Sequence, residues 1–405
     1  MTQTISTRCC VVGGGPAGLM AGFLLARAGV ETIVLEKHAD FLRDFRGDTI
    51  HPSTLQLMFE LGLLEDFLKL PHRKAFQLSA VLGDRKFVVA DFRGLPTLCK
   101  FVAFMPQWDF LDFIAGEAKK LPNFRLSMKT SAESLLEEGG RIVGLRAEGP
   151  EGPLEIRADL TIAADGRTSR MRESAGLAVE DFGAPMDVLW LELRRKADDP
   201  DETFGRVAPG RMVAMIERGS YWQIGYVIPK GGALALRSRP IGEFRRALAD
   251  SVPFLEDRVE DLRDWEDVNL LTVQVDRLKN WSRPGLLCIG DAAHAMSPIG
   301  GVGINLAIQD AVATANLLAE KLREGTLRDA DVGAVQKRRE LPARMTQRLQ
   351  LFIQNRVIRN VLAADRPFEP PLALRLLDIF PALRQLPARL IGLGVRPEHI
   401  NSSRG

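Results

Sequence analysis

Cysteine is scarce: four in 405 residues, with Cys9 next to Cys10 and Cys99 and Cys288 each alone. No C-x-x-C or Cys/His spacing accompanies them, which excludes a disulfide framework and a zinc site and makes a reducing, cytoplasmic compartment the default. No metal ligand set is expected. Charge of one sign is equally missing, since 54 basic residues face 52 acidic ones for a net +2. That balance supplies no pull toward nucleic acid or anionic lipid. No unbroken apolar run of ~18 residues is found, so no membrane span is expected. The polar residues 1–8 lead into a glycine turn, not the apolar core of a signal peptide. No nucleophile elbow or Ser-His-Asp arrangement supports hydrolase chemistry. Only two tyrosines occur, Tyr221 and Tyr226, so any phenol-activating tyrosine relay would have to use that one stretch.

What remains is an ordinary globular composition, 46% hydrophobic and 26% charged. Residues 8–12 read as a strand buried on both faces, 16–28 as a helix stopped by Gly29, and 32–35 as a second apolar strand ending at Glu36. A helical stretch over 52–70, broken at Gly62, precedes probable strands at 76–81 and 86–92 and a helix over 107–121. Short strands follow from 127, the last spanning 159–163. Between about 177 and 270 the pattern changes to recurrent strands (187–194, 211–217, 221–228), an antiparallel sheet inserted into the chain. Residues 286–289 return to the buried-strand pattern, 303–322 form a long apolar helix, and the Arg- and Leu-rich tail is helical. The interspersed acids make the tail arginines the solvated face of a packing helix before a membrane-surface one.

The turn between the first strand and helix, Gly13-Gly14-Gly15-Pro16-Ala17-Gly18, fits G-x-G-x-x-G in the strand–turn–helix context that a dinucleotide site requires. Gly13 permits the tight turn, Gly15 lets the backbone approach a pyrophosphate, and Gly18 allows close helix–strand packing. The helix amides then face the phosphates. Glu36, followed by Lys37, stands at the end of the second strand, where a carboxylate can accept ribose hydroxyls. The motif alone does not choose between NAD and FAD.

Two further punctuated strands bear on that choice: Ala164-Asp165-Gly166-Arg167-Thr168-Ser169, and Gly290-Asp291-Ala292-Ala293-His294 leading through Ser297-Pro298 to Gly300-Gly301-Val302-Gly303-Ile304-Asn305. With these three motifs in this order the chain resembles the group A flavoprotein monooxygenases, the family with the para-hydroxybenzoate hydroxylase fold. The resemblance implies an α/β fold: a Rossmann-type FAD-binding domain, an inserted, mostly antiparallel β-sheet substrate domain, and a helical C-terminal tail. The expected division is 1–75, 100–176 and 270–325 for the discontinuous FAD domain, 76–99 and 177–269 for the substrate domain, and 326–405 for the helical region.

The resemblance further implies FAD as cofactor and NAD(P)H as co-substrate. Oxygen transfer from a flavin C4a-hydroperoxide would go to an aromatic or phenolic small molecule. It places Asp291 on the ribityl chain, Asp165 and Gly166 near the pyrophosphate, Arg46 beside the flavin, and Gln107 on the FAD phosphates. The Pro298 carbonyl would lie beside the oxygenating atom. Independently of family, the 298–303 loop enters a long helix whose positive end, near Gly301, Gly303, Ile304 and Asn305, suits the anionic side of a reduced flavin. His51 reads either as a substrate or proton-relay residue or as a helix-entry residue before Pro52, and His294 supports the loop. Two features depart from relatives: Gly301-Val302-Gly303 replaces the frequent Gly-Gln-Gly, and Ser297 replaces the histidine usual in ubiquinone-pathway hydroxylases. Flavin-dependent halogenases, isoprenoid reductases and a non-turnover flavin protein are the competing readings. Nothing in the chain opposes a homodimer.

Overall fold

The computed structural model describes residues 3–42, 49–366 and 369–402. Four parallel strands run through the larger sheet's centre in the order Leu286–Cys288, Gly152–Ala163, Gln3–Val12 and Thr32–Leu35, with Phe124–Ser127 outside the last. Alternation across the pleat divides the first strand between two cores. Cys9 and Val11 pack with the helices Pro16–Arg27, Gln107–Ala118 and Gly303–Glu324, whereas Cys10 and Val12 pack toward Ile142, Leu145 and Trp281 on the other face. Burial on both sides is why the sequence there is a continuous apolar run. The strand expected at 159–163 is the end of a twelve-residue strand, Gly152–Ala163. Its polar first half pairs with the Arg141–Gly149 hairpin strand and shows no apolar signature.

A second, seven-stranded sheet has the order 269–271, 186–194, 221–229, 211–217, 204–208, 77–82, 85–91. It joins the 76–92 segment to the inserted region through a parallel pairing of Phe204 with Ser79. The strand Phe204–Ala208 was not expected: it is short, contains Gly205 and shows no clear alternation. One face of this sheet packs against the helix Ile241–Ser251 around Trp222, Tyr226 and Phe244, and the other turns toward Ile299 of the first domain.

The helix Gly303–Glu324 bears on the expectation that no membrane span is present. Extended by its Ile299 turn it is long and apolar enough to span a membrane, with mean hydropathy 1.3, yet 78% of that window is buried. It packs on the Pro16–Arg27 helix in the core. The tail returns over the molecule as the helix Asp329–Ile353, a π-helical turn Gln354–Ile358, and shorter helices ending at Gln385–Gly392.

Candidate functional site

At Gly13 the backbone adopts φ +102°, and an added Cβ would lie 2.4 Å from the Ala164 carbonyl oxygen. A Cβ on Gly18 would lie 2.0 Å from the oxygen of Gly13. Both glycines are therefore required by the protein's own packing. Gly15 differs: a Cβ there meets nothing within 4 Å, so the protein's own packing does not require this glycine and the backbone is left open to a ligand's close approach. Gly15 caps the helix, Pro16 occupies its first turn, and Ala17 and Gly18 are buried. The first intrahelical bond runs from the Leu19 amide to Gly15, leaving the preceding amides for an anion. Glu36 is buried and accepts from the amides of Gly14 and His38, both at 3.0 Å, so it fixes the turn as well as facing it. Lys37 beside it is exposed.

The other two motifs meet this turn. Gly290 sits so close to the first helix that a Cβ would be 2.9 Å from Ala17 Cβ and 3.3 Å from Ala307 Cβ. Asp291 pairs with Arg167 at 3.2 Å, both partly exposed. Asp165 is turned inward: it accepts from Ser169 Oγ at 2.5 Å and from the Met171 amide at 3.2 Å, shaping the turn at Gly166. Arg172 links the segments, reaching Asp276 at 3.1 Å and the carbonyls of Arg167 and Ala292. Gln107 lies half-buried at the start of its helix. Arg46 falls outside the described residues.

The 298–305 loop is stapled from several sides. The Pro298 carbonyl accepts from the Gly301 amide at 3.0 Å. Gly300 and Gly301 take φ of +76° and +61°, and a Cβ on Gly301 would collide with Thr49 Oγ1 at 2.3 Å. Asn305 accepts from the His51 amide at 2.9 Å and the Thr54 hydroxyl at 2.7 Å, while its own amide donates to the Thr49 carbonyl. His51 is 1% exposed and its Nδ1 lies 2.7 Å from the Ile391 carbonyl. Burial pushes its pKa down to about 4, so the ring is neutral and ties the tail to the loop. Ile304 is buried, and Gly303 opens the long helix behind the loop. Its N-terminal end points into the region bounded by the three motifs, which favours negative charge there.

Behind the loop, His294 Nε2 meets Asp310 at 2.6 Å, with both side chains 1% exposed. Burial pushes the Asp310 carboxyl up, but His294 and Arg339 together hold it below the usual carboxylate range. Asp310 also receives the Gly290 amide, and Arg339 extends the network to Glu398. Sequence reasoning missed Asp310, Arg339 and two glutamines of the tail. Gln347 grips the carbonyls of Asp276 and Ala295, and Gln350 those of Ser297 and Ile299. Their spacing on one helix was the available signal.

Tyr226 and Trp222 face away from this region. Tyr226 stacks edge-on with Phe244 at 5.2 Å, and Trp222 is fully buried with the Ile241–Ser251 helix, so neither supplies a relay or a halogenase-type tryptophan. The opposite sheet face carries Val188, Trp190, Met212, Val227 and Leu271, packed toward Ile299.

The residues fit a flavin dinucleotide: open space at Gly15, an anion-ready helix end, a carboxylate beyond the second strand, and a second positive helix end at the loop. Comparison with known proteins agrees. The FAD binding domain family matches residues 6–348. The chain is 33% identical to 6-methylpretetramide 4-monooxygenase of Streptomyces rimosus, over 95% of this chain and 92% of that protein. Among solved structures, PqsL, a probable FAD-dependent monooxygenase from Pseudomonas aeruginosa, superposes with a TM-score of 0.74 at 18% identity, covering 88% of this chain and 98% of that one. The p-nitrophenol 4-monooxygenase PnpA from Pseudomonas putida gives 0.71 at 20% identity, covering 95% and 99%.

Proposed function

The chain belongs to the FAD-binding family of group A flavoprotein monooxygenases, and on that premise we propose that it hydroxylates an oxygenated aromatic small molecule at the expense of NAD(P)H and O₂. When bound, FAD accepts a hydride from the nicotinamide and, after reaction with O₂, supplies the oxygen atom that is transferred. The chain's own residues bind, orient and shield. Gly13, Gly15, Pro16, Ala17 and Gly18 present helix amides to the pyrophosphate; Glu36 and Lys37 face the adenosine end, and Gln107 adds a polar contact to the phosphates. Asp291, oriented by Arg167, takes the ribityl hydroxyls. Asp165 and Gly166 shape the wall between the pyrophosphate and the nicotinamide's approach. The amides following Gly301 and the helix end at Gly303–Asn305 stabilise negative charge on the pyrimidine side. The carbonyl of Pro298, held in its turn by Gly301, would face the reacting atoms. His51 acts by anchoring. The seven-stranded sheet, through its Trp190–Val227 face, forms the substrate's wall and keeps water out.

One observation carries this reading: Gly290 lies in contact range of both Ala17 and Ala307, which brings segments nearly 300 residues apart around one crevice at the C-terminal ends of the parallel strands. Purified protein should be yellow, with absorbance near 450 nm. It should oxidise NADH or NADPH faster when an aromatic substrate is added. FAD-loaded protein that no nicotinamide reduces, across a broad panel of phenols and polycyclic aromatics, would refute it. Product formation that requires chloride would redirect it to halogenation.

A further inference from the structure

Two polar atoms in the apolar wall described above have no hydrogen-bond partner. Trp190 Nε1 and Gln354 Oε1 are both buried and unpaired. Buried polar groups are nearly always satisfied, so each needs a reason. Trp190 stands opposite Gly225 on the neighbouring strand. A Cβ at Gly225 would lie 3.0 Å from the indole ring, so this glycine lets the ring lie flat on the sheet. The result is a fixed aromatic shelf on the side of the sheet that packs toward Ile299.

Gln354 reaches the same apolar cluster from the tail. It is fully buried, and its neighbours Leu351 and Ile358 both belong to that cluster. Its Nε2 donates to the Gly183 carbonyl at 3.3 Å, which fixes the amide and leaves Oε1 as an open acceptor. Gln354 begins a five-residue π-helical turn, Gln354–Ile358. Such turns disrupt regular helix bonding and concentrate at functional sites. Gln347 and Gln350, on the same helix, spend their amides on backbone carbonyls, so Gln354 departs from its neighbours in keeping one atom unspent.

We propose that Trp190 Nε1–H and Gln354 Oε1 are the two polar recognition points for the aromatic substrate, the indole donating to a carbonyl or phenolate oxygen and the amide accepting from a phenolic hydroxyl. This rests on the monooxygenase reading and narrows its substrate to a flat ring system carrying both an acceptor oxygen and a hydroxyl donor. An apolar pocket discriminates weakly between rings, whereas a buried hydrogen-bonding atom rejects an analogue that leaves it unpaired. Neither residue belongs to the segments assigned to FAD, so cofactor content should survive their replacement.

The test titrates FAD-loaded protein with 1-tetralone and with 5-, 6- and 7-hydroxy-1-tetralone, following the flavin spectrum. Trp190→Phe keeps the ring and removes the donor; it should weaken binding of all four probes about tenfold, the factor for one neutral hydrogen bond. Gln354→Met should weaken by a similar factor only the best-binding hydroxylated probe and leave 1-tetralone unchanged. Affinities within twofold of wild type in both variants, with FAD retained, overturn the assignment. Melting temperatures give a readout that needs no substrate. Trp190→Phe, which removes an unpaired buried donor and no existing hydrogen bond, should raise the ligand-free Tm by about 1–3 °C, as at a site that trades stability for recognition. Should wild-type protein hold FAD yet bind no probe, the aromatic-substrate reading is what fails, and the Tm decides the rest: a rise in Trp190→Phe supports an unpaired recognition atom, and no change or a fall overturns it.

Discussion

The glycines of the first turn do two different jobs, and substitution separates them. Gly18→Ala drives a Cβ into the Gly13 carbonyl. It should cost about 1–3 kcal/mol of stability even without cofactor, read as a lower urea midpoint of the apoprotein. Gly15→Val meets open space and fits the extended backbone there. Its apoprotein should melt like wild type and yet purify colourless, because the side chain fills the volume the pyrophosphate needs. The two roles look alike in sequence, since G-x-G-x-x-G marks the positions without saying which neighbour each one accommodates. His51 was legible only as a choice between roles, because its partner, Ile391, lies 340 residues away. Its pKa of about 4 against ~6.5 unfolded fixes the sign of its effect. Above pH ~6.5 both states are neutral; between there and pH ~4 the unfolded chain takes up a proton that the folded chain refuses, so stability falls with pH. The loss should reach about 3 kcal/mol at most. His51→Gln, which can still donate to Ile391, should flatten this part of the urea-midpoint profile between pH 7 and 4.5.

At the scale of elements, the helix Asp329–Ile353 organises the site without contacting a ligand. Arg339 is 1% exposed and divides its guanidinium between Asp310 and Glu398. Arg339→Met removes the buried cation shared by the two carboxylates, leaving Asp310 to His294 and Glu398 to Arg338, and should cost about 3 kcal/mol, the lower end for breaking a buried pair from one side. The same variant should let trypsin remove the tail at Arg384 or Arg389 at concentrations that spare wild type. The helix itself was plain from its composition. Its function was not, because arginines and glutamines on an apparently solvated face read as surface until the tail is known to fold back over them. The inserted sheet shows the same limit. Alternation located the strands 211–217 and 221–228, but one-residue parity cannot tell which side faces Ile299 and the glycine loop, and Tyr226 lies on the side that does not. The Phe204–Ala208 strand escaped because its parallel partner, 77–82, is far off in sequence.

For the whole molecule, the three dispersed motifs were the most legible feature: each stands where an apolar strand stops, and glycine or aspartate there has few other uses. A ligand bound by all three should stabilise the whole fold. Protein with free FAD at 100 times its Kd should gain about 2.7 kcal/mol over apoprotein, seen as a higher, concentration-dependent Tm. A Tm indifferent to added FAD would contradict a shared crevice. The tail's return has a consequence for the order in which the fold closes. Glu398 completes the Arg339 bridge and Ile391 receives His51. Until residues 391–398 dock, Arg339 lacks its second carboxylate and the Thr49–Thr54 strap is held from one side only. The turn at Gly13–Gly18 can thus take shape before the tail closes, whereas the entry of the Gly303–Glu324 helix stiffens last, so a protein clipped within the tail should keep its central sheet and lose cofactor first.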